Sequence, residues 1–329
     1  MRFVLVVLAV LAGAPLVLAF CLLAIGAVAS LLIGWRAGAA YPPAGPFVSV
    51  EGGRLATLQA GPETGARGTV VLIHGASANA ADPMEGVGRT LAAQGFRVIA
   101  FDRPGHGWSD RLGAGTPASQ ADRIATALAI LDLGPVIVLG HSWGGAAALA
   151  LALDHPERVS ALALVAPVAL PFPQRMTLPW YWRLAAKPPV AWLLSRTLGP
   201  PLALYHLRGA AAHAFRPQPE AADYLDRARV PLALRPGALL ANVEDLMGLP
   251  AALERQNPRY GDLRLPVLVV SGDADPLVRI DAQAGPLAER IPGARLVRLP
   301  GIGHMVPWVA GDRLAEAVAD LVPVAATTR

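Results

Sequence analysis

The hydrophobic pattern of the chain begins with an uncharged run at residues 3–35, in which only three glycines, one proline and one serine are not hydrophobic. An α-helix of this length would span roughly 50 Å, more than the ~30 Å hydrocarbon core of a bilayer. We therefore expect one membrane-spanning helix. Residues 16–35 give the best span, residues 12–15 a bend or helix start, and Trp35 and Arg36 aromatic and cationic interface anchors.

A cleaved secretory signal is the main alternative interpretation of this segment. Arg2 would supply its charged start, and the small residues at 37–40 would supply a cleavage site. Its apolar part would be far longer than the usual ~7 to 15 residues, and a buried core helix would need fewer apolar residues still. We therefore favour an uncleaved single-pass anchor in the inner membrane of a bacterium. Arg2 on one side is balanced by Arg36 and Arg54 on the other, which leaves the orientation open.

The rest of the chain alternates short apolar runs with helical stretches. The runs predicted as strands are 47–50, 55–58, 69–73, 97–101, 136–139, 161–165, 267–270 and 295–299. The first two are joined through Glu51-Gly52-Gly53 and predict a hairpin. Helices are predicted at 83–94, 120–131, 144–154 and 281–290. This alternation is typical of βαβ units, and it predicts an α/β fold with a mostly parallel sheet covered on both faces.

The alternation stops at residues 168–262, which hold 13 of the 31 prolines. A structureless loop of that length is implausible within a compact domain, so we predict a helical insertion between two core strands. Loops at the carboxyl ends of parallel strands surround the active site, and the insertion is therefore expected to cap it. The predicted organisation is an anchor at 1–40, a linker at 41–46, a core at 47–167, a cap at 168–262 and the rest of the core at 263–329.

Composition excludes several classes of protein. Cys21 is the only cysteine, which excludes a disulfide scaffold. The formal net charge is +4, and the basic residues are scattered among acids, whereas a nucleic-acid binder needs a basic stripe or patch. We expect no nucleic-acid partner. We also expect no metal or organic cofactor, because the sequence has no clustered Cys, His and carboxylate set and no glycine loop suited to phosphate.

The sharpest chemical signal is Gly140-His141-Ser142-Trp143-Gly144, which follows the strand at 136–139 and precedes an Ala-rich helix. This is the G-x-S-x-G pattern in the strand, turn and helix context that it requires. Small residues two positions before and after the serine allow the tight turn that exposes it. The pattern predicts Ser142 as a nucleophile.

A serine hydroxyl needs a general base, and the base needs an orienting acid. His304 follows the last predicted strand by a short Gly-rich loop, which makes it the favoured base among seven histidines. Asp275 and Asp273 both follow the strand at 267–270; we favour Asp275 as the acid and Asp273 as a turn residue. The other usual place for the acid, after the strand at 161–165, is excluded because no Asp or Glu occurs at 159–219.

A tetrahedral intermediate needs backbone N–H groups directed at its oxyanion. We expect one from Trp143, the residue after the nucleophile. The second is expected from Ala76, in the turn after the strand at 69–73.

Five motifs in order resemble those of the α/β-hydrolase superfamily, in particular its haloperoxidase-like and epoxide-hydrolase-like branch. They are Val71-Leu72-Ile73-His74-Gly75, Asp102-Arg103-Pro104-Gly105-His106-Gly107-Trp108-Ser109, Gly140-His141-Ser142-Trp143-Gly144, Gly272-Asp273-Ala274-Asp275 and Gly303-His304. The resemblance implies an eight-stranded sheet with a helical cap after the sixth strand, a Ser142, Asp275, His304 triad, and Ala76 and Trp143 as oxyanion donors. It also implies that 102–109 is a structural loop near the site.

Two departures from that branch narrow the expected chemistry. The nucleophile is serine where haloalkane dehalogenases and epoxide hydrolases carry aspartate, which disfavours an alkyl-enzyme mechanism. His141 stands where proline iminopeptidases carry glycine, which weakens a peptidase interpretation.

The leading hypothesis is a membrane-anchored serine hydrolase that cleaves a carboxylic ester or related acyl compound through an acyl-enzyme. The alternatives are a C–C bond hydrolase, lyase or perhydrolase that uses the same triad, and a catalytically silent tethered binding protein. The aromatic residues of the insertion either bind a hydrophobic acyl or aromatic small molecule or form the core of the cap: Trp180, Tyr181, Trp182, Trp192, Tyr205 and Phe215. The acid-free stretch at 159–219 suits anionic lipid headgroups or an acidic substrate.

Overall fold

A single mixed sheet forms the centre of the molecule. The computed structural model describes residues 2–171 and 180–322, and within them the strands are β1 (Phe47–Val50), β2 (Gly53–Ala60), β3 (Thr69–Ile73), β4 (Arg97–Phe101), β5 (Val136–His141), β6 (Val159–Val165), β7 (Val267–Gly272) and β8 (Arg295–Leu299). Their order is β1-β2-β4-β3-β5-β6-β7-β8. Strand β2 is antiparallel to both neighbours, and the pairs from β4 to β8 are parallel. The predicted eight-stranded, mostly parallel sheet is confirmed, as is the β1–β2 hairpin.

The two faces of the sheet explain why the strands are continuous apolar runs. Successive side chains of a strand point to opposite faces. In β3, Val71 and Ile73 therefore pack into one hydrophobic cluster, whereas Val70 and Leu72 pack into a second cluster across the sheet. Both faces are covered, so both sets of positions need to be apolar.

Helices cover the two faces and form the insertion. In chain order they are α1 (Arg2–Ala40), α2 (Ala81–Pro83), α3 (Arg89–Ala93), α4 (Pro117–Ile130), α5 (Trp143–Asp154), α6 (Trp180–Ala185), α7 (Pro188–Arg196), α8 (Gly199–Phe215), α9 (Tyr224–Arg227), α10 (Pro236–Gln256), α11 (Ala284–Arg290), α12 (Val306–Val309) and α13 (Gly311–Ala319). A π-helical turn, Met84–Gly88, joins α2 to α3. Short 3₁₀ turns occur at Pro156–Arg158, Val230–Leu234 and Asn257–Asp262.

Helix α1 is continuous from Arg2 to Ala40, and Pro15 lies inside it. The expected helix start at residues 12–15 is therefore wrong, and the alternative of a bend there stays a prediction. The part from Gly13 to Ala40 is long and apolar enough to cross a membrane. Its C-terminal half contacts α7, α8, α10 and the 3₁₀ turn Val230–Leu234, so α1 is packed against the insertion.

The insertion between β6 and β7 contains α6 to α10, so the cap predicted after the sixth strand is present. A small hydrophobic cluster around Phe215 and Tyr224, whose rings meet edge to face with centroids 4.8 Å apart, also includes Met305 of the core and so joins the cap to the core. Trp192 and Tyr205 are exposed instead. The side chains of residues 180–182 lie outside the described part of the structure.

Candidate active site

Ser142 lies at the sharp turn between β5 and α5. Its φ is 53°, in the left-handed region that non-glycine residues rarely occupy, and such strain persists only where the surroundings enforce it. The Ser142 amide donates to the carbonyl of Val165, and the Ser142 carbonyl accepts from Gly145 and Val168. These bonds fix the strained turn at the carboxyl edge of the sheet.

Two glycines make this turn possible. A Cβ at Gly140 would lie 2.8 Å from the Ala148 side chain, and one at Gly144 would lie 2.7 Å from the His74 carbonyl oxygen. Any larger side chain would force α5 away from β3 and β5. The spacing of the motif is thus a packing requirement.

His304 and Asp275 form a buried hydrogen bond next to this turn. The His304 Nδ1 lies 2.7 Å from Asp275 Oδ2. The other carboxylate oxygen accepts the amides of Leu277 and Val278 at 2.8 and 2.9 Å, which orients the carboxyl group. With Nδ1–H donated to Asp275, His304 Nε2 is left as a proton acceptor.

Asp273, the other aspartate of this segment, accepts the Gly301 amide at 2.6 Å. It therefore closes the turn that leads to the histidine loop, and it is Asp275 that contacts the imidazole. Between Ser142 Oγ and His304 Nε2 the described residues form no direct hydrogen bond, a contact that often tightens only when substrate is bound.

His141 connects the serine turn to the histidine loop. Its ring lies 4.9 Å from that of His304, and its Nε2–H donates to the His304 carbonyl at 3.1 Å. Burial, and next the proximity of His304, lowers the pKa of His141 to about 3, so the ring is neutral near pH 7. Sequence reasoning treated His141 only as a neighbour of the nucleophile; the structure shows that it supports the loop carrying His304.

The cap also holds this loop. The Gln218 side chain accepts the Gly303 amide at 3.0 Å and donates to the Gly301 carbonyl at 2.6 Å. Gly303 packs against the carbonyl of Arg216, at the end of α8. The sequence alone offers no signal for this contact, because a glutamine between two prolines belongs to no recognised motif.

The turn after β3 passes close to Ser142. A Cβ at Gly75 would lie 3.2 Å from Ser142 Cβ, so the backbone leading to Ala76 borders Ser142. The Trp143 amide is in the first turn of α5, where backbone N–H groups have no acceptor within the helix. Among the described residues, neither the Ala76 nor the Trp143 amide donates to an acceptor in another element.

A buried charged network supports that turn from behind. The Arg103 guanidinium donates to the carbonyls of His74 and Gly75, stacks 4.1 Å from the Trp143 ring, and pairs with Asp245 of α10 at 2.6 Å. Burial lowers the pKa of Arg103, and the Asp245 carboxylate opposes that shift. Arg103 and Asp245 are both fully buried, so each charge depends on the other.

Two histidines complete this network. Burial, and next the charge of Arg103, lowers the pKa of His74 well below its usual range and that of His106 to about 4. His106 bonds Asp245 at 2.9 Å, and His74 accepts the Arg103 amide at 3.0 Å. Sequence reasoning placed 102–109 near the site but missed Asp245, which is 142 residues from Arg103 and in no motif.

Within the described residues, no group of three or more His, Cys, Asp or Glu side chains is arranged to hold a metal ion. The polar groups assembled at the sheet edge are a serine on a strained turn, an oriented imidazole and two backbone amides. This set is suited to nucleophilic attack on a carbonyl and stabilisation of the resulting oxyanion.

Comparison with known proteins gives a family match over most of the chain. A family model described as "alpha/beta hydrolase fold" matches residues 68–310. The chain is 33% identical over 217 residues to a pimeloyl-[acyl-carrier protein] methyl ester esterase of Aromatoleum aromaticum, covering 64% of this chain and 81% of that protein. It is 38% identical over 115 residues to a 2-hydroxymuconate semialdehyde hydrolase of Pseudomonas putida, covering 34% of this chain and 41% of that protein.

Solved structures give the same picture of the fold. An alpha/beta hydrolase fold protein from Burkholderia ambifaria superposes with a TM-score of 0.69 at 26% identity, over 84% of this chain and 97% of that one. An esterase from Exiguobacterium antarcticum gives a TM-score of 0.67 at 23% identity, over 85% and 99% of the two chains, and shows likeness of fold alone.

Proposed function

The chain belongs to the α/β hydrolase fold family, and we propose that it is a serine hydrolase that cleaves a carboxylic ester or related acyl compound. In this proposal Ser142 is the nucleophile, His304 the general base and Asp275 the acid that orients it. The amides of Ala76 and Trp143 hold the oxyanion. The chemistry needs no metal or organic cofactor.

The proposed reaction assigns one step to each of these groups. Ser142 Oγ attacks the carbonyl carbon while His304 Nε2 takes its proton, and the Asp275 carboxylate stabilises the imidazolium that forms. The imidazolium then protonates the leaving alcohol, which departs to leave an acyl-enzyme. His304 then takes a proton from water as the water attacks the acyl carbonyl, and it returns that proton to Ser142 Oγ as the acid is released.

The observation that carries the proposal is the strained backbone of Ser142, with a φ of 53°, beside a buried His304–Asp275 pair. A strained non-glycine turn is costly, and it is understandable where it exposes a reactive side chain. Esterase and hydrolase relatives support the same class of reaction.

We further propose that α1 is retained as a membrane anchor. A cleaved signal would remove a helix whose C-terminal half is packed against the cap, and the packing therefore supports retention.

A series of chromogenic esters of increasing acyl length tests the catalytic proposal, with wild type compared to Ser142→Ala. We expect turnover and fluorophosphonate labelling in the wild type, and a fall in kcat of roughly 10³-fold or more in the variant. Ser160→Ala, which alters an exposed serine of β6, is the matched control and should keep both. Labelling that persists in Ser142→Ala would show that another residue is the nucleophile.

A C–C bond hydrolase is the second candidate, because one relative is named a 2-hydroxymuconate semialdehyde hydrolase. Product analysis on aryl esters and on a vinylogous diketone separates it from an esterase, and also from a lyase or perhydrolase. A silent binding protein would hydrolyse none of these and would resist the fluorophosphonate.

A further inference from the structure

One face of α1 is packed closely against the cap through small residues. Gly26, Ser30 and Gly34 are spaced by four, so they lie on one side of the helix. A Cβ at Gly26 would lie 2.9 Å from Leu198, and one at Gly34 would lie 3.1 Å from Pro236. Ser30 is fully buried. Helix α1 and the cap therefore form one packed unit, and a flexible tether does not separate them.

From Gly13 onward, where its side chains are described, most of the remaining surface of α1 is apolar and uncovered. Its exposed large hydrophobic residues extend over six turns: Leu16, Val17, Leu18, Phe20, Leu22, Ile25, Val28, Leu31, Leu32 and Trp35. An exposed apolar surface of this size marks a contact with lipid or with another protein. Because its residues belong to the proposed membrane anchor, lipid is the expected contact.

The cap also carries exposed apolar residues near α1. Seven large hydrophobic residues of the segment from α6 to the first half of α8 are exposed: Leu184, Trp192, Leu193, Leu198, Leu202, Leu204 and Tyr205. Two of these helices, α7 and α8, contact α1 directly. Tyr205 is 82% exposed, which is unusual for an aromatic side chain in a folded protein.

The charged residues of the segment that carries these exposed positions are all basic. Arg183, Lys187 and Arg208 are exposed, and residues 159–219 contain no Asp or Glu. Anionic headgroups attract such basic residues near the membrane surface. A second copy of the chain is a poorer occupant, because a two-fold interface would bring these basic residues of the two copies towards one another.

We propose that the exposed face of α6, α7 and the first half of α8 lies in the membrane interface beside α1, and that the enzyme takes its ester from the bilayer. The second part rests on the proposed function. Helix α8 spans roughly 25 Å. Its far end contacts Gly303, next to His304, so one rigid element connects the docked face to the active-site edge.

Depth-dependent quenching tests the docking in the full-length protein, reconstituted in nanodiscs of phosphatidylcholine and phosphatidylglycerol. Wild-type Cys21, exposed on α1, carries an environment-sensitive fluorophore and reports whether the anchor is inserted. In a Cys21→Ala background, single cysteines at Trp192, Leu202 and Tyr205 report on the cap. Ile130→Cys, an exposed apolar position on α4, is the matched control.

We expect spin-labelled lipids to quench Cys21 and the three cap positions several-fold more than position 130. Cap positions quenched no more than position 130, with Cys21 quenched, would overturn the docking and leave the anchor intact. An unquenched Cys21 would overturn both.

Turnover tests the delivery of substrate. In Leu202→Asp/Tyr205→Asp, we expect kcat/KM for a long-chain ester dissolved in the bilayer to fall about tenfold, while a short water-soluble ester is turned over as before. The soluble ester thus reports a folded active site, and Ile130→Asp is the control. Unchanged turnover of both esters would overturn delivery from the bilayer. Should the double variant lose both activities, the milder Leu202→Ser/Tyr205→Ser decides by the same comparison.

These outcomes are separate from the catalytic proposal. Absence of serine-dependent turnover on either ester in the wild type would refute the hydrolase, whereas the quenching pattern would still decide whether the cap is docked.

Discussion

His141 should make the protein sensitive to mild acid. Its ring is neutral in the folded state with a pKa of about 3, because it is buried beside His304, whereas an unfolded-state histidine has a pKa of 6.5. Between these two values the unfolded chain binds a proton that the native state does not. The contribution of His141 to the free energy of unfolding is therefore complete above about pH 6.5 and is lost progressively as the pH falls towards 3.

The size of the effect follows from the two pKa values. At pH 5 the unfolded imidazole is almost fully protonated, and the free energy of unfolding should be lower than at pH 7 by about 2 kcal/mol for this group alone. Asp82 and Asp102 act in the opposite direction, since burial raises the pKa of each to about 6 from 3.8. The total pH profile therefore does not isolate His141.

The substitution His141→Gln isolates the pH-dependent contribution of His141. His141→Gln keeps an N–H donor near the position of Nε2, for the His304 carbonyl, and removes the titratable ring. Urea unfolding in detergent micelles at pH 7 and pH 5 should show that the wild type loses about 2 kcal/mol more than the variant. His213→Gln, at an exposed position of α8, is the control and should lose as much as the wild type.

Equal losses in the wild type and in His141→Gln would refute this reasoning. They would mean that the native imidazole binds a proton between pH 7 and pH 5, and that its burial against the histidine loop has been misjudged.

Three further predictions concern single side chains. Asp275→Asn should lower kcat by about 10⁴-fold with little change in KM, because the amide cannot stabilise the imidazolium of His304; an unchanged kcat in steady-state assays would contradict the assignment. Asp245→Asn should lower the free energy of unfolding by about 3 to 5 kcal/mol, since it leaves a buried guanidinium unpaired, whereas Glu244→Gln, at an exposed position, should change it by less than about 0.5 kcal/mol in the same urea titration. Gly144→Ala should abolish fluorophosphonate labelling even where circular dichroism shows a folded chain, because the new Cβ would push α5 away from β3; labelling at the wild-type rate would contradict this.

Much of the fold could be predicted because its signals are local. The core strands are short apolar runs bounded by turn residues; the predicted bounds of β3 and β4 match the structure, whereas β5, β6 and β7 are two residues longer than predicted. The start of α1 was missed because proline within a helix is read as a boundary. In α1 the helix continues through Pro15.

The candidate site divides in the same way. Ser142, Asp275 and His304 follow strands at the sheet edge, so topology alone predicts that they lie near one another. The contacts of Gln218 and Asp245 join the cap to the core over 85 and 142 residues of sequence. Such pairs depend on how the cap packs against the core, and no local sequence pattern encodes that packing.

The glycine face of α1 has a consequence for the order of synthesis. Gly26 is made about 170 residues before its partners at 197–198, so at roughly 5 to 20 residues per second the ribosome needs on the order of 10 to 30 s to supply them. During that interval the small-residue face has only lipid or other helices to contact, and such faces readily pair with similar helices. A nascent chain of this protein must therefore keep α1 apart from its neighbours until its own cap arrives.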